Sequence, residues 1–154
     1  MRDADEMVGL MGEPDALRVL AAAVWADGYA HERQLEAFLA ASRRLGEADA
    51  ILYIAEEITP QEAPAERLAD RLGPVSAAAL YALASWIAAA DARDHPRERL
   101  FLDRLRDSLA LPAELSRRLR AMAWRLRGAR GERAEGKLEA LLRASTFFGA
   151  ERLA

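Results

Sequence analysis

The sequence predicts an all-α protein, a compact multi-helix bundle of two pseudo-repeated helical hairpins plus a C-terminal helix. Apolar residues recur at the spacing of one helix face along most of the 154 residues, and no segment alternates apolar and polar residues like a half-buried strand. Glycine and proline interrupt this pattern where helices would end. Shifting the chain by 64 residues also brings two similar segments into register, which indicates an internal duplication.

The N-terminal half is predicted to contain four helices. The first has an apolar stripe formed by Leu17, Leu20, Ala21 and Val24, and this helix ends before Gly28. The second covers residues 32–44 and is expected to bury Leu35, Phe38, Leu39 and Leu45; the third covers 48–58. Residues 59–62, Thr-Pro-Gln-Glu, are typical of a capping box for the fourth helix, although Pro64 is an alternative start. That helix ends at Gly73.

The C-terminal half begins with an uncharged stretch, residues 75–90, of which half is alanine. It is shorter than the ~20 residues of a membrane-spanning helix, so we predict a buried helix. Helices at 96–109 and 112–127 follow, and a basic connector with three glycines leads to a last amphipathic helix at 137–147. We therefore predict a helical domain over residues 1–127, with the connector and last helix, 128–154, packed on the same domain.

Composition narrows the functional classes. The absence of cysteine excludes disulfides, thiolate metal sites and cysteine nucleophiles. The net charge of −3 provides no general attraction to nucleic acid or anionic lipid. Residues 1–6 carry four charges and lack the basic and apolar regions of a signal peptide, which favours a cytoplasmic location. No Ser-His-acid arrangement or glycine-rich phosphate loop is recognisable, so we expect no enzymatic activity.

The duplication places both histidines of the chain at one position of the repeat. The 64-residue shift aligns Ala26, Asp27 and His31 with Ala90, Asp91 and His95. The apolar positions also match, pairing Val19 with Leu83, Ala23 with Ile87, Phe38 with Leu102, and Leu45 with Leu109. Each copy is predicted to be an apolar helix, an Ala-Asp bend, a histidine and a second helix. Polar residues there commonly cap helices, and Pro96 suits a first helical position.

The alternative to capping is a metal site shared by the two bends. Asp27, His31, Asp91 and His95 combine carboxylate and imidazole, a set that suits a borderline divalent metal if the bends face each other. Neither bend has the ligand spacing of a calcium-binding loop. A divalent cation is the one cofactor that these residues suggest.

The two copies resemble the tellurite-resistance TerB-like family, all-α domains of two pseudo-repeated helix pairs with an A-D-G-x-φ-x-x-x-E kind of bend. The first copy is AVWADGYAHERQLEAFL, residues 23–39. The second is IAAADARDHPRERLFLDRL, residues 87–105, followed by ALPAEL at 110–115. The resemblance covers about residues 15–120 and leaves the arginine-rich tail without a counterpart.

The resemblance implies that the family's acidic bend position falls on Asp27 and Asp91, and its acidic helix-start position on Glu98. The first copy departs from the pattern with Gln34 in the position of Glu98 and Tyr29 where an acid is common; the second has Ala92 where the first has Gly28. If this chain keeps the family's cation site, the site therefore has fewer of the family's acidic residues. Our candidate metal ligands are Asp27, His31, Asp91, Asp94, His95 and Glu98.

The resemblance also implies a function. We expect a bacterial, cytoplasmic stress-response domain of the tellurite-resistance type, which binds a protein partner, including a membrane-associated one, or a divalent cation. An accessory chaperone-type interaction module is the alternative, because TerB-like domains also occur in membrane-anchored J-domain co-chaperones. This chain has no J-domain His-Pro-Asp tripeptide, since His95 and Pro96 are followed by Arg97. A metal-dependent enzyme is a weaker alternative, and the sequence does not specify the oligomeric state.

An arginine cluster between residues 117 and 133 is a separate candidate interaction surface. Its helix has one apolar face, formed by Leu115, Leu119, Met122 and Leu126, so the arginines should lie on the opposite, solvated face. Binding of nucleic acid or of an anionic surface through this cluster is a weaker alternative function. Nucleic acid is not an expected partner, because it would also meet the acidic remainder of the surface, and an acidic protein or anionic headgroups match the cluster as well as nucleic acid does. The candidate anion-binding or partner-binding residues are Arg117, Arg118, Arg120, Arg125, Arg127 and Arg130.

Overall fold

A computed structural model describes residues 14–26, 31–44, 74–93, 95–127 and 132–151. These ranges contain six helices and no strand, so the all-α class is confirmed for the described part of the chain. The helices are α1 (Pro14–Val24), α2 (Glu32–Arg44), α3 (Pro74–Ala89), α4 (Pro96–Ser108), α5 (Ala113–Arg125) and α6 (Glu132–Glu151). The helices predicted at 48–58 and 64–72 lie outside the described residues.

Helix α3 lies at the centre of the bundle and contacts each of the other five described helices. Every residue from Ser76 to Ala90 is buried. An uncharged helix has no face that prefers water, and its alanines let neighbouring backbones approach closely. The prediction of a buried helix here is confirmed. Within the described ranges, no helix has the length and apolar character needed to cross a membrane.

Most core positions predicted for the surrounding helices are buried or, like Leu35, Met122 and Leu126, partly buried, and one is exposed. Leu45 and the side chain of Leu17 lie outside the described residues. Phe38 of α2 is fully buried, but Leu39 is 37% exposed, so its predicted burial was wrong. Successive residues of a helix point about 100° apart. The face that carries Phe38 inward therefore turns Leu39 toward solvent. In α5, Leu115 and Leu119 are buried.

Helix α6 is longer than predicted, because it begins at Glu132 and includes Gly136, which we had placed in the connector. Its apolar stripe starts one turn earlier than expected, at the buried Ala134, and continues through Leu138, Leu141 and Leu142. This stripe packs mainly on α3, and also against α5 and α2. Burial of the stripe outweighs the cost of one helical glycine, about 1 kcal/mol.

Gly136 gives a stability prediction. Its position is exposed, and a Cβ built there meets nothing within 4 Å. Gly136→Ala should raise the free energy of unfolding by about 1 kcal/mol, or the melting temperature by about 2–4 °C, because alanine loses less backbone entropy in a helix. The exposed Ala140→Gly in the same helix is the reverse control and should lose a similar amount. A melting temperature that Gly136→Ala leaves unchanged or lowers would place residue 136 outside the helix.

Two alanines occupy the left-handed backbone region that favours glycine: Ala92 at φ 59° and Ala110 at φ 53°. Ala110 ends α4, where its amide donates to the Asp107 carbonyl and the Leu111 amide donates to the Arg106 carbonyl. These two bonds form a Schellman motif, which normally places glycine at this position. Ala92 lies in the bend after α3, at the position that aligns with Gly28.

The strain at Ala92 is testable. An alanine in the left-handed region costs about 1–2 kcal/mol, and Ala92→Gly removes this cost. Glycine also gives the unfolded chain more conformational entropy, which offsets part of the gain, so the variant should be more stable by about 0.5–1 kcal/mol. Ala121→Gly, at an exposed and regular position of α5, should instead destabilise by about 1 kcal/mol. Urea unfolding of both variants measures the difference, and equal destabilisation by the two would contradict a left-handed Ala92.

Candidate functional site

The bend after α3 lies against the start of α2. His31, which directly precedes α2, places its Nε2 3.7 Å from Oδ2 of Asp91. The Asp91 side chain is 7% exposed, and its Oδ1 accepts a hydrogen bond from the Arg93 amide at 3.0 Å. This bond closes an Asx turn that shapes the bend. Oδ2 is buried and has no hydrogen-bond partner within the described ranges. The contact thus joins a histidine of the first predicted copy to an aspartate of the second.

His95 has a different role from His31, although the two occupy equivalent positions in the sequence. It is the N-cap of α4: its Nδ1 accepts from the Arg97 amide at 3.1 Å, and Pro96 follows as the first helical residue. An accepting Nδ1 carries no proton, and it is occupied by the cap. The structure therefore gives His95 the capping role that is one of our two hypotheses for these histidines.

Beside the bends, α2 and α4 are joined by a buried polar pair. Gln34 donates from Nε2 to Oε2 of Glu98 at 2.7 Å, and the same nitrogen lies 3.4 Å from the Ala88 carbonyl oxygen. Gln34 is fully buried and Glu98 is 3% exposed. The pair is separated by 64 residues, which equals the shift that aligns the two copies. A hydrogen bond to a buried carboxylate contributes about 1.5–3 kcal/mol.

Sequence reasoning treated Gln34 only as a departure from the family pattern and missed its contact with Glu98. A signal was present. Gln34 lies on the same helical face as Ala37, Phe38 and Ala41, and all four are buried. A glutamine on an otherwise apolar face needs a buried partner. The sequence indicates that a partner is required, but not which residue it is.

The candidate metal ligands are brought together in part. Asp27 and Asp94 lie outside the described residues, while His95 caps α4 and Glu98 accepts from Gln34. Within the described ranges, no group of three or more histidine, aspartate or glutamate side chains could hold a metal ion. His31 and Asp91 remain as two facing donors. Two ligands at about 2.1 Å from a tetrahedral zinc lie about 3.4 Å apart, close to the observed contact.

Most of the described arginines of the cluster contact other side chains of the protein. Arg117 and Arg118 both pair with Glu114 on the exposed side of α5, and Arg120 pairs with Asp103 of α4 at 2.9 Å. Of the remaining candidates, Arg125 is exposed and Arg130 lies outside the described residues. The guanidinium of Arg127 stacks 4.0 Å above the Trp124 ring and donates a hydrogen bond to the Trp124 carbonyl. Neighbouring acids reduce the positive field of this surface.

Arg120 also lies close to Tyr81 on the central helix. Burial raises the pKa of the Tyr81 hydroxyl above its usual value, and the positive charge of Arg120 opposes part of that rise. The guanidinium thus interacts with Asp103 of α4 and with a buried residue of α3. These contacts hold Arg120 in a defined position between three helices.

No protein-family model matches the chain, and no curated protein and no solved structure matches it either.

The Gln34–Glu98 pair gives a pH-dependent prediction. Gln34→Glu would place a second carboxyl against Glu98, and the two cannot both be charged in a buried site, so one folded-state pKa rises. A carboxyl whose pKa is higher in the folded state than in the unfolded state is protonated at low pH, where it costs little stability. The cost grows as the pH rises from the unfolded pKa through the folded pKa. Gln34→Glu should therefore destabilise by about 1–3 kcal/mol at pH 8 and much less near pH 5.

Urea unfolding at both pH values, with wild type alongside, measures this difference. Leu39→Glu is the matched control, because it adds a carboxylate to the exposed side of the same helix. Its effect should vary little with pH. If the Gln34→Glu and Leu39→Glu variants show the same pH dependence, Glu98 does not face residue 34.

Proposed function

We propose that this chain is a TerB-like, non-catalytic stress-response domain of two pseudo-repeated helical hairpins, which acts by binding a protein partner and a divalent cation. One observation carries the proposal: Gln34 and Glu98, 64 residues apart, are in direct hydrogen-bond contact. A pseudo-twofold relation between two copies brings equivalent residues together at the axis. The acid that the resemblance places at Glu98 thus contacts the glutamine that stands in its place in the first copy.

Burial of the aligned apolar positions also supports the pseudo-repeat. Three of the aligned apolar pairs lie within the described residues and have both members buried: Val19 with Leu83, Ala23 with Ile87, and Phe38 with Leu102. Because every residue from Ser76 to Ala90 is buried, the pair Phe38 and Leu102 is the one of these three that is sensitive to the alignment. Shared burial at a constant shift is what stacking of two similar hairpins produces.

The bends are the proposed cation site. His31 and Asp91 supply one imidazole nitrogen and one carboxylate oxygen, and this mixed donor set favours a borderline metal such as zinc over calcium or magnesium. Asp27 and Asp94, the other acids that the sequence suggests as ligands at the bends, lie outside the described residues. The bound cation would link the two hairpins and stabilise the surface on which a protein partner binds.

The cation site is tested with the purified full-length chain. We expect about one zinc ion per chain by elemental analysis. We also expect added zinc at 100 times its Kd to stabilise the fold by about 2.7 kcal/mol, which corresponds to a rise in melting temperature of roughly 5–10 °C. Magnesium and calcium should produce a much smaller rise, because they prefer all-oxygen ligand sets.

A double variant, His31→Ala with Asp91→Asn, should lose both the bound zinc and the thermal shift. Asp107→Ala is the matched control, since Asp107 is an exposed aspartate of α4 that pairs only with its neighbour Arg106 among the described contacts. It should keep both properties. If the wild-type chain holds no stoichiometric metal and none of the three ions raises its melting temperature, the cation part of the proposal fails. Zinc binding that survives the double variant would place the site elsewhere.

A further inference from the structure

A pocket lies where the end of α3 meets the bend that follows it and the helices α4 and α5. Ser85 and Ala88 of α3 line it, together with Leu102 of α4 and Trp124 of α5. Arg93, Arg99 and Arg120 contribute three guanidinium groups to the same lining. The pocket therefore combines apolar carbon surface, one hydroxyl and several cationic groups.

The Ser85 hydroxyl is the unusual group in this pocket. The side chain is 3% exposed, and its Oγ is buried without a hydrogen-bond partner among the described residues. Two other buried helical serines donate back to a carbonyl of the preceding turn: Ser42 to Phe38 at 2.7 Å, and Ser145 to Leu142 at 2.8 Å. That arrangement is the usual one for serine in a helix. A buried hydroxyl with no partner costs about 1–3 kcal/mol, which a ligand at the pocket would recover.

The charges of the lining determine the sign of the ligand. Three arginines and His95 line the pocket beside one acid, Glu98, whose Oε2 accepts from Gln34, and a second acid, Asp103, pairs with Arg120, so the formal charge around the pocket is still positive. Arg120 is held by its ion pair with Asp103, so its guanidinium is oriented before any ligand arrives. Arginine binds carboxylates through paired hydrogen bonds. Trp124, which is 37% exposed, and Leu102 offer apolar surface for the carbon body of such a molecule.

We propose that this pocket binds a small organic carboxylate. Its carboxylate group contacts the arginines and accepts a hydrogen bond from the Ser85 hydroxyl, and its apolar body packs on Trp124 and Leu102. This site goes beyond the cation site at the bends, because it depends on Ser85, Arg99, Arg120 and Trp124, to which the repeat assigns no role, and not on the contact between His31 and Asp91.

The test uses the full-length chain and three probes of one shape: benzoate, benzamide and benzylamine, each titrated by calorimetry. Benzoate should bind with a Kd of about 1 mM or tighter, which is realistic for a ligand of its size. Benzamide should bind about tenfold more weakly, and benzylamine should not bind measurably. Absence of benzoate binding, or preference for the cationic benzylamine, would overturn the proposal.

Variants then locate the binding site. The double variant Arg93→Gln with Arg99→Gln should raise the Kd for benzoate at least about tenfold, because one or more charged hydrogen bonds to the carboxylate are lost. Arg33→Gln with Arg43→Gln is the matched control, because it removes the same two charges from exposed positions of α2 that do not line the pocket, and it should leave the Kd unchanged. Equal effects from the double variant and the control would show that benzoate responds only to overall charge.

Ser85→Ala separates a ligand contact from a structural role. Removing a hydroxyl that has no partner should leave the melting temperature of the ligand-free protein unchanged or higher, while weakening benzoate binding by about fivefold to tenfold. A structural role would instead lower the melting temperature without changing affinity. A Ser85→Ala protein that binds benzoate as tightly as wild type would contradict the proposed contact.

Discussion

The described structure depends on the burial of one uncharged helix, α3. A helix without a charged face must be covered on all sides, and α3 is covered by the five other described helices. Its alanines make this feasible, because short side chains allow several helices to approach the same axis. The surrounding helices are amphipathic and need to bury only one stripe each. The C-terminal helix α6 belongs to this cover, since its buried leucines pack against α3.

Burial of α3 also determines what happens to its polar groups, each of which needs a partner from a covering helix. The Trp86 indole donates from Nε1 to the Leu126 carbonyl at 3.4 Å, and the buried Tyr81 lies beside Arg120. The hydroxyls of Tyr81 and of Ser85, near the end of the same helix, have no hydrogen-bond partner within the described ranges. Ser85 lines the pocket between α3, α4 and α5.

The same covering arrangement brings His31 against the bend after α3 and makes the two histidines unequal. His31 and His95 align in sequence, yet His31 faces Asp91 across the bundle while His95 caps its own helix. A residue can cap a helix when the helix begins directly after it in the chain, so capping depends on local sequence. The contact of His31 requires a partner from elsewhere in the chain.

Local sequence determined the helices, because the spacing of apolar residues reflects a repeat that each helix carries within itself. It therefore predicted the buried α3, the burial of Phe38, and the leucine stripe of α6. Tertiary packing decided the rest. It turned Leu39 outward, extended α6 through Gly136, and paired Gln34 with Glu98. These features depend on how helices distant in sequence cross each other, and no local periodicity encodes a crossing.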